Sequence, residues 1–157
     1  MVNPLIFLHA GLGEAGAIAF LWVLVESLGL SEPGLRRARI AARIGLICLF
    51  GAWIFGGYYY VSVYGAEIKP AIVGSEAPWI HGLVMELKEH LFLFLPVLAI
   101  LITILLNSSA QPVLEDPAAR RSVSVLSGLI ALFGFSIAGM GALIAAGYRF
   151  AILAGVA

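Results

Sequence analysis

Four stretches of the chain, 4–30, 40–64, 78–107 and 122–155, are apolar over the roughly 20 residues that a helix needs to cross a bilayer. No other feature constrains the fold as much. A segment in lipid must satisfy its own backbone, which a helix does. The expected fold is therefore all-α: an integral membrane four-helix bundle, up-down-up-down, with residues 1–157 forming one four-span domain. Turn formers fill the breaks: Ser31, Pro33 and Gly34 in the first, Lys69, Pro70, Gly74 and Ser75 in the second, and NSSAQPVLEDP in the third. Composition agrees. Hydrophobic residues make up 62% of the chain and charged residues 11%, against about half and about a quarter in soluble domains.

Orientation follows from the basic residues, which favour the cytoplasmic side. Arg36, Arg37, Arg39 and Arg43 flank the first break and Arg120 and Arg121 the third, whereas the second holds only Lys69. Both termini are thus expected outside, in a prokaryotic inner or plasma membrane. Tyr58, Tyr59, Tyr60 and Tyr64, with Trp79 and Tyr148, read as an outer interfacial belt. The N-terminal MVNPLIFLHAGLGEAG has no basic leader region and reads as the start of a retained span. Net charge is zero, which offers no face for nucleic acid. Cys48, inside LICLF, has no partner for an intrachain disulfide and reads as apolar filler.

The third stretch breaks the apolar rule. HGLVMELKEH places His81, Glu86, Lys88, Glu89 and His90 at the head of a span. The first span repeats the beginning of this pattern, HAGLGE beside HGLVME, so that Glu14 and Glu86 each follow a histidine by five residues and lie about 7.5 Å deeper. Spans one and three run in parallel and can sit diagonally across an up-down bundle, which brings His9 and His81 to one depth. At about 100° per residue, Glu86, Glu89 and His90 share a side of span three, and Lys88 points elsewhere, toward the interface or a carboxylate. Ionisable groups at such depth cost about 2.5 to 3.5 kcal/mol each and generally mark function, whereas an interhelical polar clamp returns only about 0.6 to 2 kcal/mol per bond. Glu26 and Glu32 are expected to pair with Arg36, Arg39 or Arg43, and Pro96 to kink span three.

Two chemistries suit this set. A b-type haem needs two axial nitrogens on opposing helices, room for the macrocycle and a partner for its propionates. His9 and His81 supply the nitrogens. Gly128, Gly134, Gly139, Gly141 and Gly147 of span four supply either room or close helix approach. Arg149 and the tyrosines, Tyr59 among them, face the propionates. Alternatively His9, Glu14, His81, Glu86, Glu89 and His90 form a mixed nitrogen and oxygen set suited to non-haem iron, zinc or manganese. The four-span plan with paired histidines near one membrane face resembles the four-helix membrane b-type cytochromes, the cytochrome b561-like and CopD-like bundles. That resemblance implies a haem b electron-transfer component in the bilayer, working with a redox partner or quinone. Three histidines allow one bis-histidine haem, where two-haem members carry two pairs. Two further readings stand beside these. One is a proton relay through Glu14, Glu86, Glu89 and His90, which would conduct only as a homo-oligomer. The other is an accessory subunit with a structural polar core. Nothing in the sequence suggests a hydrolase or an ATP-driven pump, since it has no phosphate loop, no nucleotide fingerprint and no nucleophile with an oriented base.

Overall fold

A computed structural model describes residues 3–29, 31–108 and 110–155. The described chain is helical throughout its length apart from short connections, and it contains four helices long and apolar enough to cross a membrane. Span one is α1, Pro4–Leu28. Span two, Glu32–Val73, runs through α2 (Glu32–Tyr59), a π-helical segment (Tyr60–Ile68) and the short α3 (Lys69–Val73). Span three, Ile80–Asn107, opens with a second π-helical segment (Ile80–Met85) and continues as α4 (Glu86–Asn107). The six-residue α5 (Ala110–Glu115) leads into span four, α6 (Pro117–Leu153).

The helix starts are set by local chemistry. The side chains of Asn3, Ser31 and Asp116 accept hydrogen bonds from the backbone N–H of Leu5, Gly34 and Ala118, at 2.9, 3.2 and 2.8 Å. Each satisfies an orphan donor of the first turn. Pro4 and Pro117 follow two of these caps, where a missing N–H costs nothing. The Ser31 cap starts span two at Glu32 rather than near residue 40, so the arginines 36 to 43 are helical. Lys69 and Pro70 likewise belong to α3 instead of a loop, and most of the third break folds as α5. The expected end of span one at Leu30 lies outside the described residues. Pro96 is buried inside a helix that continues to Asn107.

Packing closes a ring: α1 lies against α2 and α6, and α4 against α2 and α6. Spans one and three are therefore diagonal. Lipid offers no hydrophobic drive between helices, so association depends on fit and on interhelical bonds. The fit is tight where small residues meet large ones. A Cβ at Gly45 would stand 2.7 Å from Phe20 Cε2, and one at Gly134 would stand 2.7 Å from Ala17 Cβ. Two apolar clusters fill the interior. The larger joins Phe20, Leu49, Leu95, Ile102 and Ile130, and the smaller joins Tyr64, Ile72, Ile80, Met85 and Ile144. Arginines close the end that holds the first and third connections. Arg39 Nε donates to the Leu106 carbonyl at 2.6 Å, satisfying one orphan carbonyl at the end of α4, and Arg43 bonds the Asn107 side chain beside it. At the same end Arg37, rather than Arg36, Arg39 or Arg43, pairs with Glu26 through two bonds of 2.7 and 2.8 Å. Trp22 Nε1 donates to the same carboxylate.

Candidate functional site

Polar groups enter the interior at the seam between the two clusters. His9, in the second turn of α1, lays its ring over Gly56 of α2. A Cβ there would stand 2.6 Å from Cε1, so no larger residue leaves the ring in place. His9 Nδ1 donates to the Ala52 carbonyl at 2.8 Å. The carbonyl only accepts, so Nδ1 carries the hydrogen and Nε2 presents a lone pair. That lone pair accepts from Lys88 Nζ at 3.5 Å. Lys88 thus reaches across the diagonal from span three to span one, instead of pointing away from the site as expected. Its Cε lies 3.9 Å from where a Cβ on Gly141 would stand. One pair of side chains thereby lies among all four spans: His9 of the first, against Ala52 and Gly56 of the second, and Lys88 of the third, beside Gly141 of the fourth.

A second polar contact lies nearer the start of span three. Tyr64, 3% exposed, and His81, 8% exposed, share a hydrogen bond of 3.1 Å between the hydroxyl and Nδ1. Each residue sits in a π-helical segment, so this bond ties the two irregular turns together. Tyr60 stacks on Tyr64 with ring centres 5.2 Å apart. Tyr59, Tyr60 and Tyr148 pack partly buried against this cluster, whereas Tyr58 and Trp79 are exposed as a belt requires. Tyr64 itself belongs to the core.

The remaining candidates do not converge on one site. Glu14, Glu86 and His90 are exposed on the outside of the bundle, and Glu89 is half-buried. His90 Nδ1 donates to the Glu86 carbonyl of its own helix at 2.6 Å. Arg149 is exposed. Among the described residues, no three of the His, Cys, Asp and Glu side chains come together as they would around a metal ion.

Fit to a haem divides into two questions. The engagement of Nδ1 fits. Ligating histidines typically present one nitrogen to the metal and hold the other in a hydrogen bond; His9 Nδ1 donates to the Ala52 carbonyl, and His81 Nδ1 shares a hydrogen bond with the Tyr64 hydroxyl. Space does not fit. Four of the five fourth-span glycines are met, by Leu24 at Gly128, Ala17 at Gly134, Lys88 at Gly141 and Ile80 at Gly147; only Gly139 has open space beside it, and the His9 Nε2 lone pair is taken by Lys88. Gly134 and Gly147 serve close packing. The sequence alone points Lys88 away from the site and places Tyr64 in the interfacial belt. A signal for Lys88 was present: residues 88, 95, 99, 102 and 106 fall at helical spacing, and the last four are buried. Comparison with known proteins adds no parallel, since no family model, curated protein or solved structure matches the chain.

Proposed function

We propose that the protein is an integral membrane bundle, up-down-up-down with both termini on the non-cytoplasmic side, whose outer half carries a proton-exchanging pair, Lys88 and His9. One observation carries this reading: an amine inside the bundle whose hydrogen-bond partner is the bare nitrogen of an imidazole fixed by its other nitrogen. Burying an ionisable amine among spans costs about 2.5 to 3.5 kcal/mol, more than a single interhelical bond of about 0.6 to 2 kcal/mol returns. A purely structural clamp would be satisfied by neutral groups. A lysine donating to a neutral histidine can pass one proton across the contact, giving imidazolium and free amine. Glu89, next to Lys88 in sequence and within electrostatic reach of both Lys88 and His81, is the group through which that proton would exchange with the outer face. The test is nitrogen NMR of histidine-labelled protein in lipid. His9 should show a protonated Nδ1 and a hydrogen-bonded acceptor Nε2, and Lys88→Met should abolish the latter signature. A His9 protonated at Nε2 alone, or unaltered by Lys88→Met, would sink the proposal.

Haem b remains the second reading, favoured by one specific observation: both His9 and His81 have Nδ1 engaged by the protein. A haem held there would supply one-electron chemistry, and Lys88 would have to turn away from His9. A reduced-minus-oxidised visible spectrum of protein purified in mild detergent decides this. A sharp Soret and α band would establish the haem, and a flat spectrum would remove it.

A further inference from the structure

Two ionisable groups stand on the outer surface of the bundle close to the middle of the membrane. On α1 the exposed positions Phe7, Gly11, Glu14, Ile18, Leu21 and Val25 follow one another at three and four residues and form a single stripe. On α4 the exposed positions Glu86, His90, Leu93, Val97, Ile100 and Ile104 do the same. Lipid covers the apolar members of each stripe without cost. It does not cover a carboxyl or an imidazole, and intramembrane ionisable groups face other protein or water. Glu14 lies two residues outward of the centre of Pro4–Leu28, and His90 between three and four residues outward of the centre of Ile80–Asn107. At 1.5 Å per residue both sit about 3 to 5 Å from the midplane, on the same side. The ring of helices puts α1 and α4 at opposite corners, so the two stripes face away from each other. One chain cannot satisfy one group with the other.

We infer that a second copy of this chain does so: the Glu14 stripe of one copy packs on the His90 stripe of the next. The match is in depth and in chemistry. His90 gives its Nδ1 hydrogen to the Glu86 carbonyl, which leaves Nε2 directed away from its own helix turn. Nε2 and the Glu14 carboxyl then share one proton. A two-fold dimer through either stripe would leave the other group in lipid, whereas the head-to-tail contact covers both at once. Because the two stripes occupy opposite corners, such contacts repeat from copy to copy, as a row or, where the rotation between copies closes, as a ring. Gly11, one turn above Glu14, lets the neighbouring helix come close.

Cysteine crosslinking in membranes tests this while leaving Glu14 and His90 intact. In a Cys48→Ser background, Ile18→Cys and Phe94→Cys are placed on separately tagged copies and co-expressed. Both positions are exposed, at 55% and 63%, and lie one turn below Glu14 and His90. Oxidation should join 18 to 94 and give little 18–18 or 94–94 product. A chain carrying both cysteines should give a ladder of multimers, and Glu14→Leu should reduce the 18–94 yield at least fivefold. Crosslinks only between identical positions, or none at all, would overturn the proposal. The inference rests on the membrane reading, which alkaline carbonate extraction tests separately: a chain released from membranes by carbonate fails that reading whatever the crosslinks show.

Discussion

Gly56→Ala is a small substitution with a large expected effect. In a helix interior alanine is ordinarily favoured over glycine, by about 0.8 to 1 kcal/mol. At this position the new methyl would fall on the His9 ring, 2.6 Å from Cε1 and 3.2 Å from Cγ. The ring cannot retreat without breaking its bond to the Ala52 carbonyl and withdrawing the acceptor from Lys88. Leaving buried donors without partners costs about 1 to 3 kcal/mol, and forcing extra volume into a packed interior costs another 1 to 3 kcal/mol or so. After subtracting the propensity gain, the variant should lose about 1 to 5 kcal/mol. Gly57, the next residue, has nothing within 4 Å of a Cβ, so Gly57→Ala should be neutral or slightly stabilising. Unfolding in mixed detergent micelles, followed by far-ultraviolet circular dichroism, measures both. His9→Ala in the Gly56→Ala background should recover part of the loss, because the clash vanishes with the ring, and the double-mutant cycle reports the coupling. Equal behaviour of the two alanine variants, or additivity with His9→Ala, would refute the placement of the imidazole.

Other substitutions check the rest of the packing in the same unfolding assay. Tyr64→Phe keeps the stack with Tyr60 but removes the hydroxyl from His81, and should cost about 1 to 2 kcal/mol. Gly134→Val should cost about 1 to 3 kcal/mol or more by driving α6 off Ala17, while Gly139→Val, with open space beside it, should be close to neutral. Ser127 is fully buried and its hydroxyl has no partner among the described residues, so Ser127→Ala should stabilise by about 1 kcal/mol. Ser27, bonded to Ser124 at 2.8 Å, should show the opposite sign on conversion to alanine.

The four spans and their ring could be read from the sequence because long apolar runs admit few folds, and the diagonal placement of spans one and three follows from four short-linked helices. The inward and outward faces could not be read, for a physical reason. In a membrane bundle both faces of each helix are apolar, so Leu93 and Val97 on the outside look like Leu95 and Ala99 on the inside. Energetic grounds alone therefore point polar residues inward. Glu86 and His90 do share a face, as their spacing requires, but it is the outer face. The direction of His81 relative to Glu86 and His90 does not follow from 100° per residue, because Ile80–Met85 is π-helical and adds nearly an extra residue per turn before α4 begins. From the sequence Lys88 points away from the site, since a long amine ordinarily reaches for the interface. Here it crosses the interior because His9 offers a lone pair and Gly141 leaves space for its stem. Caps explain the boundary errors: Ser31 starts span two early, and a π-helical segment extends its far end.

Direct measurement of the contact between Lys88 and His9 is the most searching test. The chain contains two lysines and three histidines. Nitrogen-labelled lysine side chains and carbon-labelled histidine rings can therefore be examined in lipid by solid-state dipolar recoupling with few ambiguities, and Lys88→Met assigns the signal. The account predicts one lysine–histidine pair at close range, consistent with the 3.5 Å contact, lost in Lys88→Met and in His9→Ala. Absence of any such coupling in the native protein would contradict it, since Lys88 would then lie outside the bundle and His9 would face no proton donor.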